Sequence, residues 1–207
     1  MQAVGIGSPR VFLYRVVTVS ARPALRIAFH PHATGLEHIP RGGFVLASNH
    51  LSGWDIFALA YVLAPRPVRN MGKNQLFVRP VLGPVIRSLG AFPARDAEGL
   101  LGGVEAATAF ARNGDAVVIF PEGARRRADR EHRPRKGAAL AALQAGVPLV
   151  PAAVRGTDGW RRRERWRIAV GPPVPVDDLE GEEPARAALE ATHRLWEVIT
   201  ALESDLD

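Results

Sequence analysis

Two short apolar runs, Phe44-Val45-Leu46-Ala47 and Ala116-Val117-Val118-Ile119-Phe120, constrain the fold most strongly, because each ends abruptly on polar residues. A run of four or five apolar residues bounded by turn signals is too short for a core helix and reads as a strand buried on both faces. The first opens after Gly42-Gly43 and leads into Asn49-His50-Leu51-Ser52-Gly53-Trp54-Asp55. The second opens after Asn113-Gly114-Asp115 and leads into Pro121-Glu122-Gly123-Ala124-Arg125. Strands covered on both faces need helices around them, and the sequence provides these. Helical patterns run over 53–63, 80–89, 100–112, 137–145 and 184–202, and further strand-like segments lie at 68–71, 90–94, 148–154 and 166–170. The alternation predicts an α/β fold: a single domain with a mostly parallel or mixed central sheet flanked by helices. A chain of 207 residues is long enough to bury such a core without covalent staples.

Residues 1–30 read differently from 31–207, the expected α/β domain. The stretch from Val11 to Phe29 is apolar but interrupted by Arg15, Arg22 and Arg26, so no transmembrane span is expected. On a helical wheel these arginines gather on one side, with Leu13, Val16, Val17, Ala24, Ile27 and Ala28 opposite. Such an N-terminal amphipathic helical segment either lies in a membrane interface or covers the domain core with its apolar face. Pro23 is expected to kink it or split it in two. It lacks a small-residue cleavage site, so a secretory signal is not expected.

Lys and Arg total 27 against 21 Asp and Glu, a net charge of +6, and all the basic residues except Lys73 and Lys136 are arginine. Guanidinium forks match phosphates, so the excess points to an anionic partner: lipid headgroups, a phosphorylated substrate or nucleic acid. A GC-rich genome also favours Arg and Ala, so composition alone does not choose. The chain has no Cys, which excludes disulfides, thiolate metal sites and a cysteine acyl-enzyme. Among histidines, His30, His32 and His38 form the one local cluster, without an H-E-x-x-H helix, and no metal is expected.

The polar ends of the two apolar runs carry the candidate chemistry. A positioned imidazole takes a proton from an alcohol as the oxygen attacks a carbonyl, and a carboxylate on the far ring nitrogen fixes the useful tautomer. His50 and Asp55 have the residue types and spacing for this. Ser52-Gly53-Trp54-Asp55 is also an S-x-x-D capping box, a reading compatible with the first. Glu122, Gly123 and Arg125 sit where a second strand ends, the usual ligand edge of an open α/β sheet. The later arginines of this basic run, Arg126, Arg127, Arg130, Arg133 and Arg135, read as a solvated loop. Serine hydrolase chemistry lacks its G-x-S-x-G, and neither Lys73 nor Lys136 lies in a P-loop.

Together these stretches resemble the glycerolipid acyltransferases typified by lysophosphatidic acid acyltransferase. The family's N-H-x-S-x-x-D is matched at Asn49, His50, Ser52 and Asp55, and its F-P-E-G-x-R at Phe120 through Gly123 and at Arg125. Further likeness lies around Lys73, in Lys136-Gly137, and in Val147 through Pro151 with Gly156, so that the resemblance covers roughly residues 36 to 175. It implies His50 as general base and Asp55 as its orienting partner. Asn49, Ser52, Lys73, Arg95, Glu122, Gly123 and Arg125 are then the expected substrate-binding set, with Arg125 on the glycerol phosphate. The second motif departs: Gly90-Ala91-Phe92-Pro93-Ala94-Arg95-Asp96 places Arg95 one position early and Asp96 where the arginine belongs. Ala124 replaces a threonine common after Pro-Glu-Gly.

The implied activity is transfer of a fatty acyl chain from acyl-CoA or acyl carrier protein to the hydroxyl of lysophosphatidic acid, in phospholipid biosynthesis and without a cofactor. The implied setting is the cytoplasmic face of a membrane with anionic lipids, peripheral or monotopic. The altered second motif keeps glycerol 3-phosphate, a lyso-amino-lipid or a glycolipid open as acceptors. A second class, a non-enzymatic polyanion or nucleic-acid binder, is suggested by Arg155 to Arg167, where arginines interleave with Trp160 and Trp166. The same stretch also reads as a membrane-interface belt or as a hairpin with solvated arginines, and nucleic acid is not the expected partner.

Overall fold

In the computed structural model, residues 9–94, 102–126 and 133–206 are described. The chain runs α1 (Pro9–Phe29), β1 (His32–Thr34), β2 (Phe44–Ser48), α2 (Asp55–Leu63), β3 (Val68–Gly72), α3 (Asn74–Phe77), α4 (Leu82–Ser88), β4 (Ala91–Pro93), α5 (Gly102–Arg112), β5 (Ala116–Ile119), α6 (Gly137–Ala145), β6 (Leu149–Arg155), β7 (Arg167–Val170) and α7 (Pro184–Ser204). The sheet order is β1-β7-β6-β2-β5-β3-β4. Strands β6, β2, β5, β3 and β4 are parallel. β7 is antiparallel to β6, and β1 runs with β7. The expected mixed α/β architecture is therefore present, with β2 at the sheet's centre.

Alternation along β2 explains the two layers. Val45 and Ala47 face one way, with Val117 and Ile119 of β5, and are covered by alanine-rich α5 and α6 and by Ala187, Ala191, Leu195 and Ile199 of α7. Small residues at Ala107, Ala111, Ala138, Ala139, Ala141 and Ala142 bring those helices close to the sheet. Phe44 and Leu46 face the other way, with Val118, Val150, Val154 and Ile168, and are covered by Ala58, Leu59 and Leu63 of α2 and by Tyr14 and Phe29 of α1. Both faces are dry, which is why these runs carry no polar alternation. α7 begins on a strong cap, since the Glu183 carboxylate accepts from Ala185 N and Arg186 N and Pro184 opens the helix.

Three elements differ from expectation. α1 continues through Pro23 as one helix, with Tyr14 on one side of the proline and Phe29 on the other both seated in the same core. Much of its expected apolar stripe does not cover the core: Val16, Val17 and Ile27 are exposed, Ile27 at 75%, while Ala28 of the same stripe packs against it. The domain side of α1 is instead built from Tyr14, Leu25, Phe29 and Arg22, whose guanidinium lies 4.8 Å over the Tyr61 ring. β1 escaped the periodicity because it is a three-residue edge strand whose His32 and Thr34 are exposed. Trp166, read as part of a basic aromatic stretch, is fully buried and stacks on Phe29 at 4.2 Å. β6 and β7 form the expected hairpin around it, with Arg161, Arg162, Arg163 and Arg165 exposed.

Burial pushes the Tyr14 phenol up to about 12 from its ordinary value near 10. The neutral ring is favoured in the fold, so its contribution is complete below pH 10 and is lost as pH rises from 10 through 12. Melting midpoints across that window should fall in wild type by the equivalent of roughly 2–3 kcal/mol, and the fall should be smaller in Tyr14→Phe. Identical profiles would show that α1 is not anchored through this ring.

Candidate active site

The loop after β2 wraps a buried carboxylate. Asp55, fully buried at the first turn of α2, accepts from His50 Nδ1 at 2.7 Å, Leu51 N at 2.8 Å and Ser52 N at 2.9 Å, all on Oδ2. Its Oδ1 accepts the Thr157 hydroxyl. A carboxylate ringed by backbone donors is an acceptor only, so the His50 Nδ1 carries the proton and Nε2 presents its lone pair outward. The side chain of His50 is 17% exposed and its ring stacks on Phe120 at 4.0 Å. Ser52 Oγ accepts from Trp54 N at 3.0 Å, tightening the turn into α2. Asp55 thus holds both the imidazole and the backbone N–H groups of the turn before α2, whose N-cap, Trp54, makes no side-chain cap hydrogen bond.

The loop after β5 is stitched to this histidine through its backbone. Glu122 Oε1 accepts from His50 N at 3.2 Å, and His50 O accepts from Arg126 N at 2.8 Å. Gly123 turns with φ +67, a backbone conformation that strains any residue with a side chain. Arg125 is exposed, while Glu122 is buried and bonded to the His50 backbone.

Arg126 is not a solvated residue as its charge run suggested. Its Nε donates to Glu122 at 2.9 Å, its Nη1 donates to Glu203 of α7 at 2.7 Å, and it lies over Trp196 at 5.7 Å. Arg133 and Arg135 are exposed as expected, and Arg127 and Arg130 lie outside the described residues. Asn49 is a buried brace: its amide donates to Val154 O and Glu203 Oε1 and accepts from Val154 N and Ser48 Oγ. With both donors and both lone-pair positions engaged, it ties β2 to β6 and offers nothing to a substrate. Ser52 is likewise committed to its turn.

Of the remaining expected residues, Lys73 is exposed at the end of β3, two strands from β2, or about 10 Å across the sheet. Arg95 lies outside the described residues. Sequence reasoning missed Thr157 and Glu203. Thr157 is 102 positions from the carboxylate it touches, and only its place after Gly156, which turns with φ +81, marks it. Glu203, near the end of α7, is 8% exposed and answers three partners: Asn49, Arg126 and, at 3.7 Å, Arg155. Among the described residues, no group of three or more His, Asp or Glu is placed to hold a metal ion.

An oriented imidazole with an open nitrogen, beside an exposed guanidinium at the carboxyl edge of a parallel sheet, is equipped to activate a hydroxyl on an anionic substrate. Comparisons with known proteins bear on the family and the fold. Residues 30–155 match the family model described as Acyltransferase. The 1-acyl-sn-glycerol-3-phosphate acyltransferase of Bacillus subtilis is 30% identical over 178 residues, covering 83% of this chain and 87% of that protein. The enzyme of the same name from Pseudomonas aeruginosa is 28% identical over 174 residues, with 77% and 63% covered. A chloroplastic relative from Brassica napus is 32% identical over 127 residues, 36% of its own length. The crystal structure of the 1-acyl-sn-glycerophosphate (LPA) acyltransferase PlsC from Thermotoga maritima superposes with a TM-score of 0.68 at 20% identity, over 93% of this chain and 79% of that one, a likeness of fold.

Thr157→Val keeps the shape of the buried side chain and removes its hydroxyl from Asp55. The carboxylate oxygen left behind should cost about 1–3 kcal/mol in denaturant unfolding. A loss within error would show that Oδ1 finds another donor at no cost.

Proposed function

This chain belongs to the acyltransferase family, and from that membership we propose that it moves a fatty acyl chain from an acyl thioester to the free hydroxyl of lysophosphatidic acid or a related lysolipid. The observation that carries the reading is the His50–Asp55 contact of 2.7 Å, which fixes the imidazole with Nε2 outward. His50 Nε2 takes the acceptor's hydroxyl proton as that oxygen attacks the thioester carbonyl carbon. The new C–O bond forms, the C–S bond breaks, and the imidazolium returns the proton to the departing thiolate. Asp55 holds the ring and stabilises its transient positive charge. Arg125 binds the acceptor's phosphate, with Glu122 and Gly123 shaping the loop that presents it; Lys73 and Arg95 of the departing second motif are further candidates for the same anion.

Thiol release from a long-chain acyl thioester, with and without lysophosphatidic acid, tests this. Release should require the acceptor and fall at least about 10²-fold in His50→Ala. Glycerol 3-phosphate, a lyso-amino-lipid and a glycolipid belong in the acceptor arm because of Arg95-Asp96. Release independent of any acceptor would mean hydrolysis. Polyanion affinity without turnover would favour a binding module.

The substrate class implies a membrane surface, and the exposed side chains support one. No described helix is long and apolar enough to cross a membrane. α1 packs against α2 and α4. On these helices and at the start of α4, Ile27, Phe57, Val81 and Val85 are exposed, at 75%, 47%, 77% and 48%. Single exposed hydrophobes are ordinary, but a group spread over three neighbouring helices beside Arg26 and Arg87 has the makeup of a surface that rests on an anionic interface. We expect peripheral attachment through this face. Ile27→Asp with Val81→Asp should lower flotation with anionic vesicles about tenfold or more, without changing the fold; undiminished flotation would overturn this placement.

A further inference from the structure

Glu203, in the last turn of α7, touches both loops that carry the candidate chemistry. Its Oε1 accepts from the Asn49 amide at 3.1 Å and from Arg126 Nη1 at 2.7 Å. Asn49 is the residue before His50, and Arg126 is the residue after Arg125. One oxygen therefore holds the immediate neighbour of the proposed base and the immediate neighbour of the guanidinium proposed for the acceptor's phosphate. Arg126 continues the link. Its Nε donates to Glu122 Oε1 at 2.9 Å, the same oxygen that accepts from His50 N at 3.2 Å, and its backbone N donates to His50 O at 2.8 Å. A guanidinium suits this place because its N–H groups diverge, so that one side chain serves two carboxylates in different directions. Both carboxylates are buried, which makes these charge-assisted bonds strong. With Arg126 drawn against Trp196 of α7, its neighbour Arg125 is left on the exposed side of the loop.

We propose that Glu203, acting through Arg126, is a positioning residue: it sets the spacing between the His50 imidazole and the Arg125 guanidinium, and so selects acceptors whose hydroxyl and phosphate match that spacing. The inference rests on the acyl-transfer reading above and deepens it, because it makes the last helix a determinant of acceptor choice. α7 does not need this carboxylate to dock. Ala187, Ala191, Leu195 and Ile199 bury its inner face in the core, and Glu183 caps its start. What Glu203 adds is local, since its contacts converge on the residues flanking the site. Two loops that follow different strands have no covalent reason to keep a fixed separation at their tips, and a shared carboxylate from a third element supplies one.

Amide hydrogen exchange on the full chain reads this link without turnover. In Glu203→Gln the His50 and Arg126 amides should lose about tenfold more protection than Val45 and Val174, whose amides are bonded to Pro148 O and Leu149 O in the body of the fold. Arg126→Lys keeps the charge but replaces the fork with a point donor, and should show the same local loss. Glu203→Gln is nearly isosteric, so the test stands if Arg126→Lys fails to fold. Arg194→Gln, which breaks the pairing of α7 with Asp178 and Glu190, serves as the control and should leave both amides as in wild type. In turnover, wild type should prefer lysophosphatidic acid to monoacylglycerol, which has no phosphate. Arg125→Gln, Glu203→Gln and Arg126→Lys should each lower that preference about tenfold, through the KM for lysophosphatidic acid, and Arg194→Gln should keep it. Loss of protection spread evenly over the fold, or shared by Arg194→Gln, overturns the assignment. So does an unchanged acceptor preference in Glu203→Gln when Arg125→Gln has lost it. A local loss of protection in a chain with no transferase activity would keep the link and count against the acyl-transfer reading alone.

Discussion

A fully buried carboxylate organises this molecule. Taking Asp55 out of water is affordable only because four donors meet it: one imidazole N–H, two backbone N–H groups and one hydroxyl. Three of them come from consecutive residues, His50, Leu51 and Ser52, so the chain leaving β2 has to curl around the first turn of α2. The fourth, Thr157, comes from beyond β6, so the curl is pinned to the neighbouring strand. The requirement that satisfies the charge is the same one that aims His50. Orientation of the imidazole is a consequence of solvating Asp55 with protein, and the two cannot be changed separately.

A second polar hub lies on the α7 side. Glu203 near the end of α7 gathers Asn49, Arg126 and Arg155, and Arg126 in turn holds Glu122, which binds the His50 backbone. The loop after β5, the loop after β2 and the last helix are therefore linked through shared carboxylates. Shared partners of this kind couple, so effects of substitutions at Arg126, Glu122 and Glu203 should depart from additivity. The helix that closes the fold also holds the candidate site's back wall.

What was legible in the sequence follows from the range of the interactions. Strands β2, β5 and β6 could be read because burial on both faces demands unbroken apolar runs, a local signature. His50 with Asp55 could be read because the pair is five residues apart and shares a turn. Thr157 and Glu203 could not, since the partner of the first is 102 residues away and those of the second at least 48, and neither set of contacts leaves a periodic trace. Arg126 was misread for a related reason: a charge run is usually solvated, and only a carboxylate arriving from α7 makes one member of it different. The helix α1 was legible, but the side it turns to the domain was not: Tyr14 and Phe29 occupy the core while Val16, Val17 and Ile27 are exposed, and which residues are buried depends on the partner surface as well as on the helix's own periodicity.

The orientation of α1 bears on how two dissimilar substrates would meet. His50 stands on Phe120, which packs into the same apolar layer as α1 and α2, and the exposed valines and Ile27 lie on the outer side of those helices. On the proposed reading, a lysolipid leaving an interface on that face has its acyl chain covered while its headgroup reaches the exposed Arg125. The thioester would have to reach the same Nε2 along a path that leaves the lysolipid's open. Separate approaches suit a reaction in which no covalent acyl-enzyme stores the chain between steps: both substrates must be present together, so neither can occupy the other's path. A sheet whose central strand ends at His50, with an apolar helical layer on one face and basic loops along its carboxyl edge, provides those two paths from one topology.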